Sequence, residues 1–245
     1  MSKLQVVIPM AGQGQRFRDK GILIPKPLIT IREKPMFMHA IDSLEKLVMP
    51  VEIYVVIRED MDFEYFLKKE ILNWKPEVTV IVLKEMTGGS AQTALKASCD
   101  LNPDLPLLIL DCDLKFESTD FLTAINNNFK SEFDGVLLAF QSVNPRYSYV
   151  LEEENIAIQV AEKLVISNRA LIGAYFWSRC SDFNRFANEV ISEGLGNLRK
   201  EYYVSRTIQK AISKGFKFSV IEGEFDSFGT PEELAKFLEG ESSHD

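Results

Sequence analysis

The sequence predicts an α/β fold: a Rossmann-like, doubly wound, mixed and mainly parallel sheet in three α/β/α layers. Three observations carry that expectation. Short Val- and Ile-rich runs recur at residues 4–9, 51–58, 78–83 and 107–110, as strands covered on both faces require. Between them, residues 35–48, 63–72 and 90–101 carry apolar side chains at helical spacing. The alternation of the two is the third observation, because parallel neighbours need a crossover helix between them.

Pro35 opens the first helical segment where a missing N–H costs nothing, and Met36, Ala40, Ile41, Leu44 and Leu47 form its stripe. After Asp113 the pattern loosens, with a helix expected over 116–129 and strands over 135–143, 149–151, 156–160 and 170–177. Helices follow at 180–192 and 202–214, the second stopped by Gly215, and 216–221 returns as a strand. Thr230-Pro231-Glu232-Glu233 combines a cap, a Pro and two acids in a first turn, so the last helix starts there and ends near Gly240. The polar residues 241–245 are expected to fray. With no repeat, low-complexity tract or linker, residues 1–245 read as a single domain.

The 245 residues contain 28 Lys plus Arg against 36 Asp plus Glu, a net charge of −8. That balance opposes a nucleic-acid partner, which needs a basic surface that releases counterions, and no basic run exceeds a pair such as Lys68-Lys69. Apolar runs such as 107–110 and 136–140 fall far short of the roughly 20 residues of a membrane helix, so no membrane association is expected. The first residues run straight into a strand without the features of a leader peptide, and a cytoplasmic location is expected. Cys99, Cys112 and Cys180 lack CxxC spacing and read as reduced thiols.

The chemistry concentrates after strand ends. Residues 7–28, VIPMAGQGQRFRDKGILIPKPL, follow the first strand, where open α/β sheets bind ligands. After Met10 and Ala11, Gly12 and Gly14 let backbone amides approach an anion. Arg16 adds a bidentate fork and Lys26 a point charge, a combination suited to a polyphosphate. A dinucleotide fingerprint would need Gly at the position of Phe17, and the Gly-Lys-Ser/Thr of a Walker loop is absent. Asp111 and Asp113 follow a wholly apolar strand at a spacing that puts both on one face, as hard oxygen ligands for Mg2+ bound with substrate phosphates.

With its PKPL, the first segment resembles the nucleotidyltransferases that make sugar nucleotides, whose signature is a strand, GxGxR and then PKP. The resemblance implies a GT-A-like nucleotidyltransferase fold and assigns Arg16 and Lys26 to the phosphates of a nucleoside triphosphate. It continues at Gly88, Gly89 and Gln92, a glycine loop with a base-reading side chain, and at Asp113, the family's metal ligand, with Mg2+ as the implied cofactor. Glu162-Lys163 resembles the motif that holds the second substrate's sugar and phosphate, with Asn168 and Gly173 in the next sugar-facing segment. The motif at 224–234, EFDSFGTPEEL, resembles D-x-G-T-P-E-x-L, except that the second metal-binding Asp falls at Ser227, with Asp226 one residue earlier. Either a bulge returns Asp226 to the metal, or the ion relies on Asp111 and Asp113.

The order of motifs resembles short members associated with capsular or surface polysaccharide synthesis, in part through the segment from Glu201 to Ser205. The implied reaction joins a nucleoside triphosphate to a sugar 1-phosphate or similar small phosphomonoester, releasing pyrophosphate, and a homodimer is compatible with the class. The alternatives are a glycosyltransferase of the related GT-A type and a nucleotide-binding protein with impaired catalysis. The base and the acceptor are left open.

Overall fold

A computed structural model of the chain describes residues 3–127, 132–194 and 201–240. Strand β1 (Leu4–Pro9) leads into one helical turn, α1 (Gln15–Arg18), and a small ribbon of β2 (Thr30–Ile31) and β3 (Lys34–Pro35). Next come α2 (Met36–Asp42), β4 (Val51–Arg58), α3 (Glu59–Tyr65), α4 (Leu67–Trp74), β5 (Thr79–Leu83), α5 (Ser90–Ser98) and β6 (Leu107–Leu110). The second half holds β7 (Leu114–Glu117), α6 (Thr119–Asn127), β8 (Gly135–Gln141), β9 (Ser148–Glu153), β10 (Ile156–Glu162) and β11 (Arg169–Trp177). It closes with α7 (Cys180–Gly194), α8 (Val204–Ile212), β12 (Phe218–Glu222), β13 (Glu224–Ser227) and α9 (Pro231–Glu239).

Among the described residues nine strands form one sheet in the order β5-β4-β1-β6-β11-β8-β12-β10-β9, and β13 pairs with β7 beside it. The sheet is mixed, as expected, but parallel pairing rules only its first half, β5 to β6, and the β8–β12 pair. Strand β11 runs antiparallel to both β6 and β8, and β9–β10 is an antiparallel hairpin. The reason is local: Glu154 and Asn155 both adopt positive φ (50° and 62°), the two-residue turn that matches strand twist, so no crossover helix is needed there.

Alternation along the central strands explains the layers. Val6, Ile8, Leu108 and Leu110 face a core shared with Phe37, Ile71 and Phe121 of the helices on one side. Val7, Leu107 and Ile109 face the other, against Ala94, Phe183 and Ile208. All seven strand residues are fully buried, each contributing roughly 1.5–3 kcal/mol relative to exposure. A third cluster, Phe17, Ile31, Met36, Phe228 and Leu234, clamps the loop after β1 against α9. Phe17, which breaks the dinucleotide fingerprint, is therefore the anchor of that loop.

Several boundaries differ from the sequence expectation. The helix expected over 35–48 ends at Asp42, because the Ser43 hydroxyl donates to His39 O (3.1 Å) and accepts from Phe116 N (2.9 Å). The one expected over 63–72 starts earlier and breaks at Phe66 (φ 51°), where Asp62 Oδ1 accepts the amide of Lys68 at 2.7 Å and starts α4 afresh. In place of a helix over 116–129, β7 runs to Glu117 and Ser118 caps α6, accepting from Phe121 N at 3.3 Å. Residues 128 and 129, and the tail 241–245 with His244, lie outside the described residues. The α9 signals hold, with Thr230 Oγ1 accepting from Glu233 N and Gly240 closing the helix at φ 83°. Among the described residues no helix is long and apolar enough to cross a membrane.

Candidate active site

The loop after β1 is fixed from below. Met10 N donates to Val56 O (2.8 Å), and Arg58 at the end of β4 donates to Ala11 O (2.8 Å) while gripping Asp60 with two further bonds of 2.8 Å. Gly14 sits in the left-handed region (φ 63°), and a Cβ there would meet the Lys26 side chain at 3.1 Å. Its carbonyl accepts from Phe17 N (3.0 Å) and Arg18 N (3.2 Å), opening α1 and presenting Arg16 to the cavity.

Lys26 crosses to β6. Its ammonium donates to Asp113 and to Gly229 O (3.2 Å), and stands 5.6 Å from the Phe17 ring centre. Burial works against the Asp113 charge, but Lys26 outweighs it and holds the carboxyl below its usual range; burial likewise opposes the Lys26 charge, and Asp113 raises its pKa. Asp111 is in the opposite state. Burial first, then the Asp113 charge, push its pKa to about 8, so it carries a proton at neutral pH. Its carboxylate lies where a Cβ on Gly173 would be, 2.2 Å from Oδ2, and its amide donates to Gly173 O at 2.8 Å. Gly173, expected to touch the acceptor, lines the cavity and also makes room for Asp111.

Two cavities meet at these carboxylates. One, of about 520 Å³, is lined by Met10, Gly12, Gly14, Arg16 and Lys26. The other, of about 370 Å³, is lined by Arg146, Ser148, Glu162, Lys163, Tyr175 and Ser227. Arg16, Ser90, Asp111, Asp113, Glu201, Tyr203 and Gly229 line both. Ser148 and Ser205 hydroxyls donate to the same oxygen of Glu162, the latter at 2.6 Å, which leaves the other oxygen 3.9 Å from Lys163 Nζ.

Six expected site residues line neither cavity: Asp226, Asn168, Gln92, Gly88, Gly89 and Ala11, the last with its carbonyl held by Arg58. Asp226 is not returned by a bulge: β13 pairs with β7 in regular register, Asp226 opposite Lys115 and Ser227 opposite Leu114. Strand alternation therefore turns Asp226 to an outer groove with Glu117 and Glu222, and Ser227 inward. Asn168 lies outside both cavities, with its carbonyl accepting from Ser142 N at 3.1 Å. Gln92 folds back so that its Oε1 accepts from Gly88 N (2.6 Å), and Tyr202 covers Gly88 and Gly89. Of that loop, Ser90 reaches the cavities.

Other lining residues had no sequence signal for the site. Arg146 pairs with Glu233, which is 4% exposed and occupies the third position of α9, and Tyr147 stacks beneath the guanidinium at 4.7 Å. Only the acid-rich start of α9 pointed toward Glu233. Burial pushes the Cys112 thiol well above its ordinary value, which removes it as a nucleophile, and His39 is buried away from the site with Nε2 2.9 Å from Ile31 O.

Among the described residues no three His, Cys, Asp or Glu side chains gather as a full metal cage. Asp111 and Asp113, with the Ser227 hydroxyl near Asp113 around Gly229, instead offer few hard oxygens beside an anion cradle. That donor set fits Mg2+, which keeps waters and shares its shell with substrate phosphates.

A glycine loop with Arg16 and Lys26 facing two carboxylates in an α/β fold defines an anion cradle beside hard oxygen donors. Residues 6–171 match the MobA-like NTP transferase domain, and the chain belongs to that family. It is 24% identical to the bifunctional protein GlmU of Methanocaldococcus jannaschii, covering 93% of this chain and 52% of that protein. The chain thus spans about half the length of such relatives. Over 96% of this chain and 99% of the other, it is 24% identical to the D-glycero-alpha-D-manno-heptose 1-phosphate guanylyltransferase of Campylobacter jejuni. The fold is shared with a nucleoside-diphosphate-sugar pyrophosphorylase from Vibrio cholerae, at a TM-score of 0.78, 23% identity and coverage of 96% and 99%. It is also shared with the inositol-1-phosphate CTP transferase of T. maritima, at 0.72, 18% identity and coverage of 98% of this chain and 95% of the other.

Proposed function

We propose that the chain transfers a nucleotidyl group from a nucleoside triphosphate to a sugar 1-phosphate or similar small phosphomonoester, releasing pyrophosphate. The observation that carries this reading is the meeting of an anion-cradling cavity and a second, hydroxyl- and carboxylate-lined cavity at Asp111, Asp113 and Arg16. An acceptor phosphate oxygen attacks the α-phosphorus, and the bond to the departing pyrophosphate breaks. Such a nucleophile is already anionic, so no general base is needed; alignment and charge neutralisation do the work. Arg16 and the amides near Gly12 and Gly14 hold the leaving pyrophosphate, Lys26 orients the reacting phosphate, and Lys163 with Glu162 seats the acceptor. Mg2+, held by Asp111 and Asp113, would supply charge neutralisation at the phosphates. The product would be an activated precursor for cytoplasmic steps of surface polysaccharide synthesis.

The test is pyrophosphate release with Mg2+, screened over GTP, CTP, UTP and dTTP against sugar 1-phosphates and other phosphomonoesters. Release that requires one triphosphate and one acceptor together is expected. Conversion of a nucleotide sugar without any pyrophosphate-dependent return to triphosphate would replace this reading with a glycosyltransferase.

Two predictions concern the cation. Burial and the Asp113 charge raise the Asp111 pKa, so Mg2+ held there competes with a proton and its affinity should rise with pH through neutrality. Calorimetry in buffers of different ionisation enthalpy should register proton release on Mg2+ binding at pH 7. Ser227→Asp adds a carboxylate beside Asp113: it should lower the melting temperature without Mg2+ through like-charge repulsion and tighten Mg2+ about tenfold. Unchanged Mg2+ affinity would place the cation elsewhere.

A further inference from the structure

The stretch from Glu201 to Tyr203 bridges the glycine loop and the acceptor-side lysine. Tyr202 N donates to Gly88 O and Ala91 N donates to Tyr202 O, each at 2.9 Å, as in a short strand pairing. The approach is close enough that a Cβ on Gly89, itself at φ 148°, would fall 2.5 Å from Tyr202 O. Tyr203 follows as the residue that caps α8, and its ring lies at the seam where it lines both cavities. Its hydroxyl donates to the Glu201 carboxylate and accepts from Lys163 Nζ. The same ammonium stands over the ring, 4.3 Å from its centre. Lys163 is also constrained at its backbone, left-handed at φ 55° with its amide donating to Tyr147 O at 3.2 Å.

We propose that Tyr203 is a positioning residue for acceptor capture, aiming the Lys163 ammonium at the seam while Glu201 fixes the phenol and Tyr202 fastens the stretch to the glycine loop. A lysine head is otherwise a mobile point charge on a four-carbon stem, and its other acid, Glu162, lies at 3.9 Å with one oxygen already taken by two serines. Burial and the Glu201 charge raise the Tyr203 pKa, so the phenol stays a neutral donor toward Glu201 and keeps its lone pairs for Lys163. The inference rests on the nucleotidyl-transfer reading for its kinetic consequence but not for the contact itself.

The test compares wild type, Tyr203→Phe, Glu201→Gln, Lys163→Ala and the double variant Tyr203→Phe/Lys163→Ala. Tyr203→Phe should raise the acceptor KM about tenfold, the loss of one charge-assisted bond, with kcat and the triphosphate KM within about twofold. Glu201→Gln should move the same constant in the same direction, and Tyr203→Phe should add nothing in the Lys163→Ala background. A full additional loss in that background, or an equal rise in the triphosphate KM, overturns the proposal. Without substrates, amine acylation read by peptide mass spectrometry should label Lys163 several-fold faster in Tyr203→Phe; an unchanged rate overturns the contact. A wild-type protein that transfers nothing, yet shows the labelling change, would fault the proposed reaction and not the Lys163–Tyr203 pairing.

Discussion

Lys26→Met is expected to lower kcat at least about 100-fold, the effect of losing one preorganised charge stabiliser. Lys26 ties three parts of the chain together, since it fills the space that Gly14 leaves, donates to Gly229 O and pairs with Asp113. Its removal also strands the Asp113 charge, whose side chain is 29% exposed, at a cost of about 1–3 kcal/mol after allowing for residual solvent. The sign with pH follows. Asp113 has a lowered pKa when folded, so the pair stabilises above the ordinary carboxylate range and that contribution is lost as pH falls through the folded value. In Lys26→Met that contribution is absent and acid relieves the stranded carboxyl by protonating it, so the stability deficit against wild type should be largest near neutral pH and shrink as the pH falls. The double variant Lys26→Met/Asp113→Asn separates the two effects: stability at pH 7 should recover while activity stays lost. Recovered activity would remove both residues from the chemistry.

Gly173→Ala should reduce turnover by a similar factor through a single methyl group. The new Cβ would sit 2.2 Å from Asp111 Oδ2, 2.7 Å from its Cγ and 2.8 Å from its Cβ, so a rotamer change at the carboxylate tip does not relieve it. The whole side chain must shift, and displacement of about 1 Å at a reacting centre can cost on the order of 100-fold. The Mg2+ concentration for half-maximal rate should rise in parallel. Asp111→Asn provides the comparison, because it removes the ligand without moving the strand. Wild-type turnover in Gly173→Ala would mean that Asp111 plays no part at the cation.

The parts of the site that the sequence exposes share one trait: each follows directly on a run of apolar residues. Gly12, Gly14 and Arg16 come after β1, Asp111 and Asp113 after β6, and Glu162 and Lys163 at the end of β10, so hydrophobic periodicity that stops abruptly at a polar group is legible without a structure. Arg146 is brought in by tertiary folding alone, while Tyr175, Tyr203 and Glu233 lie in segments the sequence marks without saying which side chain enters the site. Ser227 and Asp226 show the same limit at higher resolution. Which of two adjacent residues faces inward depends on the register of β13 against β7, more than a hundred positions away, and the end of β7, Phe116 and Glu117, reads as the start of a helix in the sequence because its partner is invisible there. The fold divides similarly. Buried parallel strands announce themselves by composition, whereas the antiparallel half depends on a turn at Glu154-Asn155 that composition signals weakly.

The division of the sheet at β6 has an evolutionary corollary. Met10, Gly12, Gly14, Arg16 and Lys26 come from the loop after β1 in the parallel half, and most groups of the other cavity come from β9, β10, β11 and the segments after them, the two sets meeting at the seam. Substitutions that retune one pocket therefore leave the packing of the other largely untouched. Under the proposed reaction, a lineage built on this scaffold would be free to change its acceptor while keeping its nucleotide, or the reverse, and chimeras joined just after Asp113 should inherit the two preferences separately.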